Sequence, residues 1–168
     1  MNQQIYIKRE KELLNFAYGS NLDKVQIIKR CESAKFISIA SLKGYQIAFT
    51  RESKKRGCAV ADVVKKKGSE VWGVIYEISE EDCRKLDEFE GYIPEREKRK
   101  NCYNREIMEV LENGDPNKPK KVSIYIAVKQ ENPGLPSKEY LDHILRGARH
   151  FGLPPDYIQR LQRWETND

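Results

Sequence analysis

The sequence predicts an α/β domain of the α+β kind, a single unit in which mostly antiparallel strands form a small curled sheet or barrel with helices packed outside it. Three observations predict it. Period-two segments such as "EVWGVIYEIS" recur along the chain, separated by turn residues. Helical segments with recognisable cap signals stand at residues 20–31 and 80–90 and near the C-terminus. The chain has 168 residues, enough for one core and too few for two.

Element by element, "LLNFAYG" (13–19) reads as a strand that breaks at Gly19, preceded by an N-terminal extension of residues 1–12. "SNLDKVQIIKRC" (20–31) reads as a helix capped by Ser20 or Asn21, with Asp23 in its first turn. "FISIASLKGYQIAFT" (36–50) reads as two strands around "LKG". "CAVADVV" and "EVWGVIYEIS" flank "KKKGS" and read as a hairpin. In the helix of residues 80–90, Ser79 supplies the cap and Asp82 the second half of a capping box. Gly91 stops it, because glycine takes the left-handed conformation without a Cβ clash. "CYNREIMEVLE" and "KVSIYIAVK" form a second hairpin across "NGDPNKPK". Two helices close the chain, one capped by Ser137 and one opened by Pro154-Pro155.

Composition excludes several classes of function. The chain is 39% hydrophobic and 34% charged with both signs mixed, and no run of about 18 apolar residues predicts a membrane helix. The N-terminus carries no apolar leader pattern and reads as cytoplasmic. Cys31, Cys58, Cys83 and Cys102 lie far apart with no C-x-x-C, which argues against a zinc site and a disulfide framework. The basic runs "RESKKRG", "KKKG" and "REKRK" lack interleaved aromatics and read as solvated turns, so no nucleic-acid partner is expected. His143 and His150 share one helix without a matching carboxylate pattern and read as surface or packing residues.

Two stretches are chemically unusual. In "KLDEFEGY" the helical period puts Cys83, Leu86 and Glu90 on one inward arc, with Asp87 beside it. A carboxylate there meets apolar surroundings and the negative end of the helix dipole, both of which raise its pKa. In "FAYGSNL" a strand runs through Gly19 into a helix start, so the amides of Ser20, Asn21 and Leu22 are candidate donors to an anion. The same stretch also fits an ordinary strand-to-helix turn with a good cap.

"FAYGSNL", "EVWGVIYEI", "LDEFEGY", "PSKEY" and "GLPPDYIQRL", in this order, resemble the gamma-glutamylcyclotransferase family from about Leu14 to Leu161. The charged insert "IPEREKRKNC" and the turn "NGDPNKPK" depart from the pattern. The resemblance implies a mixed barrel with surrounding helices and cleavage of a γ-glutamyl amide to 5-oxoproline and a free amine. It implies no metal and no cofactor, a small-molecule γ-glutamyl substrate, and is compatible with a homodimer. Residue by residue it makes Glu90 the acid/base, places Tyr18, Gly19, Ser20, Asn21 and Leu22 around the glutamyl group, and lines the pocket with Tyr103 and Tyr140. A binding protein for the same metabolite on the same fold is the alternative.

Overall fold

The computed structural model describes residues 11–168, so most of the predicted N-terminal extension lies outside the described residues. The alternating segments form β1 (Glu12–Ala17), β2 (Lys35–Ser53), β3 (Cys58–Ser79), β4 (Tyr103–Glu112) and β5 (Pro119–Ala127). They close into a barrel in the order β1-β3-β2-β4-β5. All neighbours are antiparallel except β1 and β5, which meet in parallel at Asn15 and Ser123. Asn15 helps close that seam by donating from Nδ2 to the Ser123 carbonyl at 3.3 Å and to its hydroxyl at 3.2 Å. Closure removes the free strand edges on which other chains could pair. Phe16, Leu42, Val71, Ile75 and Ile124 are among the residues that fill the core.

The barrel and surrounding helices match the predicted class, but two strand assignments need correction. "CAVADVV" and "EVWGVIYEIS" do not pair with each other. They are consecutive halves of the single strand β3, and each pairs with a different half of β2. "LKG" likewise lies within one strand rather than between two. The pairing jumps from Lys43–Glu70 to Tyr45–Lys65, so residues 66–69 of "KKKGS" leave the ladder as a bulge opposite Gly44. Gly44 and Gly68, at φ +77 and +81, absorb the bend there. A hairpin turn and a bulge both ask for glycine among polar residues, and only the long partner strand distinguishes them.

The helices are α1 (Lys24–Arg30), α2 (Glu80–Phe89), α3 (Lys138–His150) and α4 (Pro155–Gln162). The predicted helix of residues 20–31 is split. Ser20–Leu22 form a short 3-10 turn, and Asp23 caps α1 by accepting from the amides of Val25 and Gln26. Asp23 is therefore the cap, and neither Ser20 nor Asn21 is. Ser79 caps α2 as expected, its hydroxyl accepting from the Asp82 amide at 3.1 Å. The Ser79 amide donates instead to the Ser33 hydroxyl at 2.9 Å, while Asp82 turns aside to accept from Ser33. Ser137 and Pro155 open α3 and α4 as expected.

Gly147 brings α3 into direct contact with the 3-10 turn. A Cβ there would stand 2.4 Å from the Leu22 carbonyl carbon and oxygen. In an exposed helix Gly→Ala stabilises by about 1 kcal/mol. Here the overlap reverses the sign, and Gly147→Ala is expected to destabilise by about 1–3 kcal/mol. Thermal unfolding checks this, and an unchanged or raised Tm would show that the turn can move aside.

Candidate active site

Helix α2 ends where the site begins. Glu90 terminates it, donating its amide to the Leu86 carbonyl at 3.0 Å, and Gly91 reverses the chain at φ +64. The charged insert leaves from this reversal and returns to it. Cys102 donates to the Gly91 carbonyl at 3.1 Å and Tyr103 to the Glu90 carbonyl at 3.2 Å. These two bonds close the base of the excursion and put the first residue of β4 beside Glu90. Within the insert, buried Asn101 accepts from the Ile93 amide and donates to Asn104.

Glu90, Tyr103, Tyr140, Tyr18, Gly19, Ser20 and Asn21 line one small cavity of about 50 Å³. A larger groove of about 680 Å³ lies between the β2–β3 bend and α4. Its acid, Glu70, is held below the usual range, because Lys43 and the Ser41 hydroxyl outweigh its burial. Convergent polar groups and a poised acid, rather than size, mark the functional cavity.

The Glu90 side chain is only 14% exposed. Oε1 accepts from Asn21 Nδ2 at 3.0 Å and lies 3.8 Å from Arg30 Nη1. Burial pushes its carboxyl above the ordinary glutamate value; Arg30, the Asn21 bond and Arg56 oppose the shift without cancelling it, and Asp87 adds to it. Asp87 is itself held by Tyr125 at 2.7 Å and Arg105 at 3.0 Å.

One amide of the expected substrate loop is already taken. Leu22 is fully buried in the core, and its amide is spent on the Gly19 carbonyl at 3.0 Å. Ser20 and Asn21 are different: among the described residues, neither amide has an intramolecular acceptor. Gly19 sits at φ −110, so it is not required for a left-handed backbone. It is required for space, because a Cβ would come within 3.2 Å of the Ala61 Cβ and 3.7 Å of the Tyr140 hydroxyl.

The two pocket tyrosines meet on one residue, at the two peptide groups that flank Ala61. The Tyr140 hydroxyl accepts from the Ala61 amide at 3.0 Å, and the Tyr103 hydroxyl donates to the Ala61 carbonyl at 2.6 Å. Tyr140 thus keeps its own proton to donate, whereas Tyr103 offers only lone pairs. Tyr18 is fixed by donating to the Tyr125 carbonyl at 2.5 Å. Burial raises all three phenols, Tyr140 to about 12, so they stay protonated at neutral pH.

The next residue, Asp62, has no exposed surface; its carboxyl takes bonds from Thr50 and from the amides of Val63 and Ala127. Sequence reasoning missed several neighbours of the cavity. Arg30 closes α1 beside Glu90, and Arg56, read as part of a solvated turn, stacks 4.9 Å over the Tyr140 ring. Gln26 and His143 join them through hydrogen bonds. Helical spacing places Arg30 and Gln26 on one face of α1, four residues apart, which was the one available signal.

Comparison with known proteins fits this arrangement. A sequence model of the AIG2-like family matches residues 70–161. The gamma-glutamylcyclotransferase of Homo sapiens is 31% identical over 163 residues, covering 95% of this chain and 82% of that protein. The chain belongs to the gamma-glutamylcyclotransferase family. The family's Bos taurus enzyme is 30% identical over 94% of this chain and 81% of that protein. A solved gamma-glutamyl cyclotransferase superposes with a TM-score of 0.83 at 29% identity, covering 94% of this chain and 90% of that one. A yeast gamma-glutamyl cyclotransferase specific to glutathione shares the fold alone, with a TM-score of 0.61 at 14% identity.

Removing the Tyr140 hydroxyl strands the buried Ala61 amide. Tyr140→Phe is expected to cost about 1–3 kcal/mol, while Tyr103→Phe, which leaves a carbonyl with a lost donor, costs about 1 kcal/mol. Denaturant unfolding of the two variants measures the difference, and equal values would refute the asymmetry.

Proposed function

We propose that this chain cleaves γ-glutamyl amides to 5-oxoproline and a free amine, with Glu90 as general base and then general acid. The observation that carries the reading is a partly buried, raised carboxyl facing the same small cavity as two unpartnered amides. The amides of Ser20 and Asn21 bind the glutamyl α-carboxylate at the start of the turn. The α-ammonium then faces Glu90 and the lone pairs of Tyr103. Glu90 takes one proton, the freed amine attacks the γ-carbonyl carbon, and a five-membered ring closes. The C–N bond breaks as Glu90-H returns the proton to the leaving nitrogen, and the ring nitrogen sheds its second proton through Glu90 to the released amine, which departs as an ammonium. Tyr140 donates toward the developing oxyanion. Because the attack is intramolecular, holding the near-attack geometry is most of the work.

The cavity takes the glutamyl half, and the amine half leaves past Arg30 and Arg56, whose charges suit a carboxylate on it. The small-molecule substrate, a homodimeric assembly and a reducing, cytoplasmic setting belong to the same reading; four free cysteines support the last. Among the described residues no helix is long and apolar enough to cross a membrane.

A panel of γ-glutamyl compounds, read by 5-oxoproline release, tests the activity. Glu90→Gln is expected to lower turnover by about 10²–10⁴-fold, and retention of more than about a tenth of the activity would be incompatible with this role and leave the binding-protein reading. Stability supplies a second readout. A raised carboxyl contributes stability that is present at low pH and lost as pH rises through the folded-state pKa. The Tm gain of Glu90→Gln over the parent is therefore expected to grow from acid to neutral pH.

The charge of the amine half is tested with γ-glutamyl-alanine against γ-glutamyl-alaninamide, which differ in little else. The carboxylate is expected to raise kcat/KM by about three- to tenfold, given partly exposed guanidinium partners. Equal values would remove Arg30 and Arg56 from substrate recognition.

A further inference from the structure

We infer that Gln26 and His143 are positioning residues for Glu90, the middle links of a one-way hydrogen-bond chain that starts at Arg146 on α3. The inference rests on the proposed role of Glu90. Arg146 Nη2 lies 2.8 Å from His143 Nδ1, and His143 Nε2 lies 3.0 Å from Gln26 Oε1. Gln26 Nε2 donates to Asn21 Oδ1 at 2.9 Å, and Asn21 Nδ2 donates to Glu90 Oε1 at 3.0 Å.

Donor and acceptor chemistry orders every link. A guanidinium only donates, and Arg146 at 2.8 Å approaches His143 Nδ1 more closely than the Asp23 carboxylate at 3.2 Å, which assigns Nδ1 as the acceptor. Nε2 then carries the proton, which suits the Gln26 carbonyl it faces. The Oε1 of Gln26 also accepts from Arg56 at 2.9 Å, and its Nε2 also donates to the Ser20 hydroxyl at 2.8 Å. Two donors on one end and two acceptors on the other leave the carboxamide no reason to flip. Gln26 and Arg30 then both donate to Asn21 Oδ1, so the Asn21 amide nitrogen is turned to Glu90. A flipped Asn21 would set an oxygen against the carboxylate.

The surroundings keep the chain in one state. His143 is held below its ordinary value by burial and by Arg56, Arg146 and Arg30, against the pull of Asp23, and stays neutral near pH 7. Asp23 lies 3.2 Å from Nδ1 and also takes Arg146 Nε at 3.0 Å. Glu90 is faced by Arg30 from α1, Arg56 from the β2–β3 turn, Asp87 from α2 and the phenols of Tyr103, Tyr140, Tyr18 and Tyr125. Of these only Arg30 also reaches Asn21 Oδ1, and it shares with Gln26 the work of fixing which end of Asn21 meets the acid.

The test follows the Glu90 carboxyl itself, by NMR titration of carbon-13-labelled glutamate, beside the pH profile of kcat/KM. Gln26→Met keeps the bulk and removes both polar ends. It is expected to raise the Glu90 titration and the acid limb of the profile by roughly half a unit, since a donor to the charged form is loosened. His143→Leu, on a separate helix, is expected to move both in the same direction by less, and His143→Gln, which retains a donor near Nε2, to restore the parent values. A merely structural role would lower Tm and leave the titration in place. If neither variant moves the carboxyl titration, the inference is overturned. If the parent releases no 5-oxoproline from any γ-glutamyl compound, the proposed function fails, while the titration still decides the chain.

Discussion

The backbone of Ala61 is the point on which the site depends. It is clasped from two directions, Tyr103 holding its carbonyl from β4 and Tyr140 its amide from α3. One residue on, the buried carboxyl of Asp62 bonds to Thr50 on β2 and to the last amide of β5. Three neighbouring strands and a C-terminal helix are thus referred to one short stretch of β3. Burial raises the Asp62 carboxyl, and the three donors around it work to keep it charged. A buried acid with every donor in place fixes register as well as energy, since sliding β3 would break its bonds to Thr50 and Ala127 together.

The charge pattern around the cavity has a division of labour. Burial raises the Glu90 carboxyl, and a lone buried carboxylate would stay protonated. Arg30 and Asn21 moderate the shift at one and the same oxygen. Asp87 sits one helical turn back but is occupied by Arg105 and Tyr125, so it perturbs Glu90 only weakly. The phenols contribute no charge, and each has its direction set by a main-chain partner.

The local signals in the sequence were those tied to one backbone event. Gly91 marks the end of α2 because only a positive φ lets the chain reverse there, and the inward arc of Glu90 follows from helical spacing alone. Signals that depend on a distant partner were not legible. "KKKGS" has the composition of a turn, and the nineteen-residue partner strand that converts it into a bulge lies upstream. Asp23 and Ser20 are both good caps, and the choice was made by α3 pressing Gly147 against Leu22. Arg56 looked like one cation among several in a polar turn, and only the closed barrel carries that turn back over Tyr140.

The insert between Gly91 and Tyr103 shows how sequence variation can be insulated from chemistry. Its two ends are tied to each other before either reaches the cavity, so the acid and the tyrosine feel a fixed boundary whatever lies between. For such a loop, doubling its length costs only about 0.6 kcal/mol in closure entropy. Evolution can therefore lengthen, recharge or replace this segment as though it were an appendage. Residues that border it in sequence are under strong geometric constraint, while the exposed residues inside it, unlike buried Asn101, are not.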